Sequence, residues 1–261
     1  MTQSTFTSSS TKDRNQSLFI FFWGRFKKHK MAMVGGIVTL IMVLMVTLAP
    51  LVSGYDPMDQ DLLNRFKPPS ETHWMGTDDL GRDMYARVLY GGRISLSVGL
   101  FAMAISIVFG SVVGLVAGYY GGWTDSILMR ATEIFMSIPR LFILIALGMF
   151  LRTLDVPFLK PGSFLPISVV IGALSWMGTA RLVRASTMEL REREFVQATR
   201  ALGGSDARIL LLRIFPNIAS PIIVSATLGL AGAIISESGL SYLGFGVQLP
   251  TPTHQPSPSS E

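Results

Sequence analysis

The sequence contains no cysteine and only three histidines among its 261 residues. The lack of cysteine excludes disulfide bonds, thiolate metal ligands and a cysteine nucleophile in this chain. The histidines (His29, His73 and His254) are too scattered in sequence to suggest a metal site. The sequence also has no G-x-x-x-x-G-K-[S/T] loop, no H-E-x-x-H motif and no suggestively spaced Ser/His/Asp set. We therefore expect neither nucleotide binding nor enzymatic activity.

Charge is scarce as well. Charged residues make up 15% of the chain, hydrophobic residues make up 49%, and the mean hydropathy is +0.45. Few soluble domains have this composition. A net charge of +5 is compatible with nucleic-acid binding, but the basic residues cluster beside apolar runs, as in cytoplasmic loops of membrane proteins. The composition therefore predicts a multi-pass membrane protein that does not bind nucleic acid.

Five apolar runs predict an all-α, polytopic membrane helix bundle of about five spans. They cover approximately residues 31–52, 94–117, 127–150, 164–180 and 218–235. The first run is too long for a typical signal-peptide core, so we interpret it as a retained helix. A basic cluster at residues 25–30 precedes it and predicts a cytoplasmic N-terminus. Alternation then places residues 54–91 and the C-terminal tail outside.

Two runs carry internal features. Gly110, Gly114 and Gly118 are spaced four residues apart, so they share one helical face on which another helix can pack closely. A short turn is expected at residues 119–125. In the third run, Pro139 predicts a kink or a split. Its charged neighbours, Glu133 and Arg140, are expected at the cytoplasmic boundary rather than in the bundle interior.

The external loop contains three aspartates among arginines. Asp78, Asp79 and Asp83 are close enough in sequence to suggest paired acids for metal or proton chemistry. Arg82 and Arg87 lie between and beside them, so we predict solvated ion pairs instead.

The loop at residues 181–217 is rich in arginine and is expected on the cytoplasmic side. Residues 194–202 predict a short helix that Gly203 and Gly204 stop. Ser205 or Asp206 is expected to cap a second helix, which Pro216 closes. This helix–turn–helix predicts a knob that docks in a groove of a soluble partner. An ordinary amphipathic loop between membrane helices is the alternative.

The loop resembles the coupling loop of bacterial ATP-binding-cassette importer permeases, which has Glu-Ala-Ala, then three residues, a glycine and a terminal hydrophobic-Pro pair. Gln197, Ala198 and Thr199 fall on the Glu-Ala-Ala positions, and Gly203 falls on the glycine. Gln for Glu and Thr for the second Ala are departures from the pattern. Three further segments look like the second permease subunit of dipeptide, oligopeptide or nickel importers. They are PPSETHWMGTDDLGRDMYARVLYGGRISLSVGL, ATEIFMSIPRLFILIAL and SESGLSYLGFGVQLPTP.

The resemblance implies roles for the loop residues. Gly203 would permit the sharp corner, Ala198 and Thr199 would keep the docking face small, and Arg200 or Arg208 would pair with acids on an ATPase. The full set of coupling residues is Gln197, Ala198, Thr199, Arg200, Gly203, Asp206, Arg208 and Pro216.

The resemblance also implies partners: a second permease, two ATP-binding subunits, a substrate-binding protein outside the cell membrane, and membrane lipid. It places this chain in the bacterial inner membrane as a multi-pass protein. ATP would be used by the partner subunits, and this chain would bind no cofactor. The pathway would carry di- or oligopeptides, although nickel and other small solutes use close relatives.

We divide the chain into four parts: a cytoplasmic N-terminal segment at 1–30, the first span and external loop at 31–93, the core helices at 94–236 (with the coupling loop at 181–217) and an atypical tail at 237–261. Family members continue with one more membrane helix after the SESGLSYLGFGVQLPTP segment, whereas this sequence ends in a Pro/Ser-rich stretch. We therefore expect a truncation or a frameshift. A non-functional permease remnant and a stand-alone secondary transporter remain the alternatives at this point.

Overall fold

The fold is an all-α membrane bundle, described by a computed structural model for residues 29–153 and 163–247. Three of its helices are long and apolar enough to cross a membrane, and the number rises to five if each of two bent pairs is one span. Within those residues there is no β-strand, only an isolated bridge between Thr77 and Asp83. The predicted bundle of about five spans is confirmed.

The first span packs lightly on the rest of the bundle. It consists of α1 (Lys30–Thr47) and the short α2 (Ala49–Val52), and α1 buries none of its residues. It contacts the next long helix, α3 (Met84–Tyr120). An apolar helix with all faces exposed in the single chain is suited to lipid or to another membrane subunit.

The loop between these helices (residues 53–83, the first loop) has its own polar core. Asp78 accepts hydrogen bonds from the backbone N–H groups of Leu80 (2.8 Å) and Arg82 (3.0 Å), and it pairs with the side chains of Arg82 and Arg87. The predicted ion pairs are present, but the pairs of Asp78 are not solvated, because its side chain is only 8% exposed. The buried Asp83 pairs with Nδ1 of His73 at 2.8 Å. Asp78 and Asp83 thus both have partners in the loop and at the start of α3, which leaves neither carboxylate free for metal chemistry.

The second span begins earlier than its apolar run. Asp83 caps α3 by accepting a hydrogen bond from the backbone N–H of Ala86 (2.7 Å), so the helix starts at Met84 and not near residue 94. The predicted boundary between residues 93 and 94 therefore falls inside α3. Hydropathy marks where lipid-facing residues begin, whereas the cap decides where the helix begins. The turn expected at residues 119–125 also shrinks to Gly121, which has a φ of +66°.

Helix α3 is the centre of the bundle, and its glycine face lies against α7 (Trp176–Arg191). A methyl group added to Gly110 would lie 2.7 Å from the carbonyl oxygen of Trp176. The corresponding distances are 2.5 Å from Gly114 to Ala180 and 2.7 Å from Gly118 to Arg184. The two backbones thus approach more closely than any residue with a side chain allows.

Two spans are bent at a break. Helices α4 (Gly122–Ser137) and α5 (Arg140–Thr153) meet at 89°, which confirms the split predicted at Pro139. Helix α6 (Phe164–Ala173) meets α7 at 42°. This second break was not predicted; at this point the hydroxyl of Ser175 donates to the carbonyl of Ile171 (2.6 Å), a side-chain bond that competes with the backbone ladder. The helix then continues to Arg191, beyond the predicted span end at residue 180.

The last described span is one continuous helix of 37 residues. It is built from α9 (Asp206–Ile209), a π-helical turn (Leu210–Ile214) and α10 (Phe215–Tyr242), while α8 (Glu194–Ala201) precedes it. The prediction that Pro216 ends a helix is wrong. Pro216 lies in the first turn of α10, directly after the π-helical turn, and proline is tolerated in the first turn of a helix.

Helix α10 also runs past residue 237, so the predicted boundary of the C-terminal tail falls inside it. The expectations for residues 1–28, for the loop at 154–162 and for the tail at 248–261 lie outside the described residues.

Candidate functional site

The predicted helix–turn–helix is present as an elbow (residues 194–209) made of α8, a glycine turn and α9. Gly203 adopts a left-handed φ of +78°, as the sequence predicts. Its N–H bonds to the carbonyl of Arg200 (3.0 Å), and the N–H of Gly204 bonds to that of Thr199 (3.0 Å). These two bonds define a Schellman motif, which ends α8 and turns the chain within two residues.

The start of α9 is held differently from the prediction. Ser205 occupies the N-cap position, but its side chain makes no capping hydrogen bond. Asp206 does not cap the helix either; its Oδ1 accepts a hydrogen bond from the hydroxyl of Tyr119 at 2.7 Å. Helix α9 is therefore tied to the end of α3.

Arg200 strengthens the same connection. Its guanidinium carbon lies 5.3 Å from the centre of the Tyr119 ring, within the range of a cation–π interaction. Interaction with the Tyr119 hydroxyl, in addition, raises the pKa of Arg200, so its charge is secure at any physiological pH. Sequence reasoning did not identify Tyr119, because it lies about 80 positions before its partners and carries no motif.

Beneath the elbow lies a compact apolar cluster. Four side chains from α8, α9, the π turn and α10 are almost fully buried there: Val196, Ile209, Ile214 and Ile218. They pack against Leu115 of α3 and Val183 of α7. Close-packed interiors transmit displacement instead of absorbing it, so the elbow and these three spans form a stiff unit.

Ion pairs hold α7 against its neighbours on the same side. Arg184 forms a bidentate salt bridge with Asp125 at the start of α4. Arg191 donates to the carbonyl of Tyr119 at 3.1 Å. These two loop arginines therefore hold α7 against α4 and α3, and both side chains already have partners within the chain.

The outer face of the elbow is exposed and partly apolar. Leu202 at the turn is 90% exposed, and Leu211 and Leu212 follow at 61% and 66%. The sequence signal for them was a set of leucines in an arginine-rich segment that cannot all face the core. Most of the predicted coupling residues are exposed too, and Thr199 is half-buried. The exposed ones are Gln197, Ala198, Arg200, Gly203, Asp206, Arg208 and Pro216.

Within the membrane bundle, a cavity of about 950 Å³ lies between α3, the break of α4 and α5, α7 and α10. Its walls are mainly apolar, with hydroxyl groups from Ser106, Ser175, Thr179 and Ser225. No cluster of His, Cys, Asp and Glu that suits a metal ion occurs in the described parts of the chain. Helices α7 and α10 line this cavity and also carry the elbow at their ends.

Comparison with known proteins finds two families. Residues 110–255 match a family described as the binding-protein-dependent transport system inner membrane component. Residues 17–69 match the N-terminal transmembrane domain of oligopeptide transport permease C. Together the two matches include the first span, the elbow and the cavity walls formed by α4, α5, α7 and α10.

Individual relatives agree with these matches. The oligopeptide transport system permease protein OppC of Bacillus subtilis is 39% identical over 226 residues, covering 87% of this chain and 71% of that protein. The dipeptide transport system permease protein DppC of Haemophilus influenzae is 35% identical, with 88% and 77% covered. The glutathione transport system permease protein GsiD of Pectobacterium atrosepticum is 34% identical, with 88% and 74% covered.

Proposed function

This chain belongs to the family of inner membrane components of binding-protein-dependent transport systems, and from that premise we propose that it is a pathway-forming subunit of an ATP-driven peptide importer. It is a multi-pass membrane protein of the inner membrane, and the family is a transport component rather than an enzyme. Peptides are the proposed cargo because the relatives are named as permeases for oligopeptides, dipeptides and glutathione.

One observation carries the coupling part of this proposal: the elbow is mechanically continuous with the cavity wall. Helix α9 runs without interruption into α10, and α8 follows α7 after two residues. The buried cluster around Ile209 and Ile214 joins all of them to α3. A cytoplasmic ATPase that grips the exposed face at Ala198, Leu202 and Leu211 would therefore move the cavity wall as it closes on ATP.

Some of the remaining coupling residues would contact the ATPase directly in this proposal, and others would act by orienting the elbow. Gly203 makes the corner, Gln197 and Thr199 shape the docking face, and Arg208 is free to meet an acid of the ATPase. Arg200 and Asp206 act indirectly, because both hold Tyr119 and thereby the orientation of the elbow.

The assembly we propose contains this chain, a second permease, two ATP-binding subunits and an external substrate-binding protein. The outer surface of α1 is apolar and exposed, and the cavity is open on one side. Both features suit contact with the second permease. The N-terminus and the elbow lie in the cytoplasm in this arrangement, and the first loop faces the binding protein.

The test is to co-express the chain with its partner subunits, purify it from gently solubilised membranes and measure ATP-dependent uptake of a labelled di- or tripeptide in proteoliposomes. Recovery of the second permease and the ATPases, together with uptake that requires ATP and the binding protein, is the expected result. Recovery of the chain alone with uptake driven by an ion gradient would favour a stand-alone carrier. Recovery alone without any uptake would favour a non-functional remnant.

A further inference from the structure

The cavity contains a cation that coupling to an ATPase does not explain. Arg140 lines it at the break between α4 and α5, and its Nη2 donates a hydrogen bond to Oγ of Ser175 at 2.8 Å. Glu133, the nearest acid in sequence, pairs with Arg130 instead (3.7 Å). Among the described residues, no carboxylate forms an ion pair with Arg140.

This guanidinium lies at mid-depth in the bundle, not at the boundary where the sequence predicted it. Its partner Ser175 is at the break between α6 and α7. Two close contacts show which part of α3 lies beside this break. A methyl group added to Gly172, just before the break, would lie 2.9 Å from the carbonyl oxygen of Ala102. A methyl group added to Gly110 would lie 2.7 Å from the carbonyl oxygen of Trp176, just after the break. The break is therefore level with residues 102–110 of α3, the middle of an apolar run (94–117) without a charged residue.

A charge at this depth requires compensation. An ionised side chain among apolar spans is costly unless it faces a water-filled cavity or meets an opposite charge. Arg140 faces the cavity, but in the described chain its polar partner is the neutral hydroxyl of Ser175. The charge itself is therefore available to an anion that enters the cavity.

The backbone around Arg140 favours an anion too. Helix α5 (14 residues) begins at Arg140 and α7 (16 residues) begins at Trp176, so two helix N-termini meet at the cavity. Their dipoles add positive potential on the cavity side, and the N–H of Phe142 in the first turn of α5 is already bonded to the carbonyl of Pro139 (3.1 Å). Broken membrane helices are known to hold anionic groups of transported solutes in this manner. Hydroxyl groups of Ser137 and Ser106 line the same space.

We propose that Arg140 and the two helix starts form a carboxylate subsite in the translocation cavity, and that it receives a carboxylate of the passing peptide, in the first place the one at the C-terminus. The inference rests on the proposed function, since it requires the cavity to be part of the solute pathway. A peptide carboxylate is ionised at neutral pH, and a guanidinium binds it through two parallel hydrogen bonds. The subsite would make this subunit selective for solutes with a free carboxylate.

The first experiment compares uptake of one peptide with that of its C-terminal amide in proteoliposomes containing the whole importer. We expect Arg140→Gln to lower uptake of the free acid about tenfold, the loss of one charge-assisted hydrogen-bond pair, and to leave the amide nearly unchanged. Uptake of the free acid by Arg140→Lys should lie between that of wild type and that of Arg140→Gln, because lysine keeps the positive charge but cannot form two parallel hydrogen bonds to a carboxylate. Arg130→Gln, exposed on α4 and outside the cavity, is the matched control.

Each outcome decides the matter. Equal losses for acid and amide, at normal levels of assembled complex, would mean that Arg140 is structural or binds lipid phosphate, and would overturn the subsite. No loss for either peptide would overturn it as well. Since the binding protein is the same in every sample, its own preference cancels in the ratio of variant to wild type. Failure of the wild-type complex to transport either peptide would instead refute the proposed function.

The second experiment does not depend on transport. The chain has no cysteine, so Ser137→Cys introduces its sole thiol, in the cavity beside Arg140. In the assembled complex we expect an anionic methanethiosulfonate reagent to react faster, relative to a cationic one, when Arg140 is present than in the Ser137→Cys, Arg140→Gln double variant. A rate ratio unaffected by Arg140, or a thiol that neither reagent reaches, would show that Arg140 does not face a water-filled pathway.

Discussion

Gly203 holds a backbone conformation that other L-residues rarely adopt, although there is ample room for a side chain. Its φ is +78°, and an added methyl group would meet no atom within 4 Å. A left-handed conformation costs most residues roughly 1–2 kcal/mol, whereas asparagine tolerates it. We therefore predict that Gly203→Val distorts the elbow and uncouples ATP hydrolysis from uptake, while Gly203→Asn retains most of the coupling.

The measurement is the ratio of peptide transported to ATP hydrolysed in the reconstituted importer. Because space is not limiting at Gly203, the two variants differ mainly in backbone cost, and asparagine serves as the matched control. Equal coupling in wild type and Gly203→Val would remove the elbow from the coupling mechanism.

Asp78 makes the first loop sensitive to acid. Burial by itself would raise the pKa of Asp78, but hydrogen bonds from the backbone N–H groups of Arg82 and Leu80 and from the Arg82 side chain hold it below its usual value. A lowered folded-state pKa stabilises the loop above the unfolded pKa of about 3.9, and this contribution is lost as the pH falls through the folded value. We expect the loop to stay ordered from pH 7 to 5 and to loosen below about pH 4.

Hydrogen exchange of residues 54–83 over this pH range checks the prediction. Asp78→Asn should weaken protection of the loop already at pH 7 and flatten its dependence on acid. Asp79→Asn, whose side chain is 62% exposed, should have little effect. A loop with the same acid response in Asp78→Asn as in wild type would assign the response to other groups.

The site was predictable to the extent that local chemistry determines it. Gly203 followed from sequence because only glycine ends a helix so readily in the left-handed region. The contacts of Asp206 and Arg200 with Tyr119 were not predictable, since they join residues about 80 positions apart. Arg140 was placed at the membrane boundary for the same reason: its depth depends on how four helices pack, and its own neighbours in sequence do not report this.

Helices α3 and α7 meet backbone to backbone at Gly110, Gly114 and Gly118, so these three glycines leave no room for a side chain. A methyl group on Gly114 would lie 2.5 Å from the carbonyl of Ala180, and neither backbone can give way without moving its helix. We predict that Gly114→Ala destabilises the pair by about 1–3 kcal/mol, the usual cost of overpacking. Thermal unfolding of the purified chain in detergent measures the change.

Gly91 provides the control on the same helix. Nothing lies within 4 Å of a methyl group added there, so Gly91→Ala should be neutral or stabilising by about 0.5–1 kcal/mol. If Gly114→Ala behaved in the same way, the close approach of the two helices would not be present in the folded protein.

At the level of elements, the sequence predicted spans better than helix ends. Hydropathy located all five apolar runs, because lipid requires them to be apolar. It missed the early start of α3, which Asp83 determines, and the break before α7, where Ser175 bonds to Ile171. The error at Pro216 has a similar origin: proline breaks a regular helix from within, but it is tolerated in the first turn, where Pro216 lies directly after the π turn at residues 210–214.

For the molecule as a whole, the proposed mechanism requires the first loop and the elbow to lie on opposite sides of the membrane. Helix α3 separates them, and its 37 residues exceed the length needed for one crossing. The basic residues before α1 favour a cytoplasmic N-terminus, so one crossing places the first loop outside and the second places Gly121 inside. Two further crossings keep the elbow on the inner side.

Because the chain lacks cysteine, single thiols test this arrangement directly. We predict that a membrane-impermeant maleimide labels Ser70→Cys, in the first loop, in intact cells, and labels Leu202→Cys, at the tip of the elbow, only in inverted vesicles. Leu202 is 90% exposed in the single chain, so its labelling should drop severalfold when the ATPase subunits are co-expressed and cover it. Reversed labelling would refute the orientation, while labelling of Leu202→Cys that ignores the ATPase would leave the orientation intact and refute docking at the elbow.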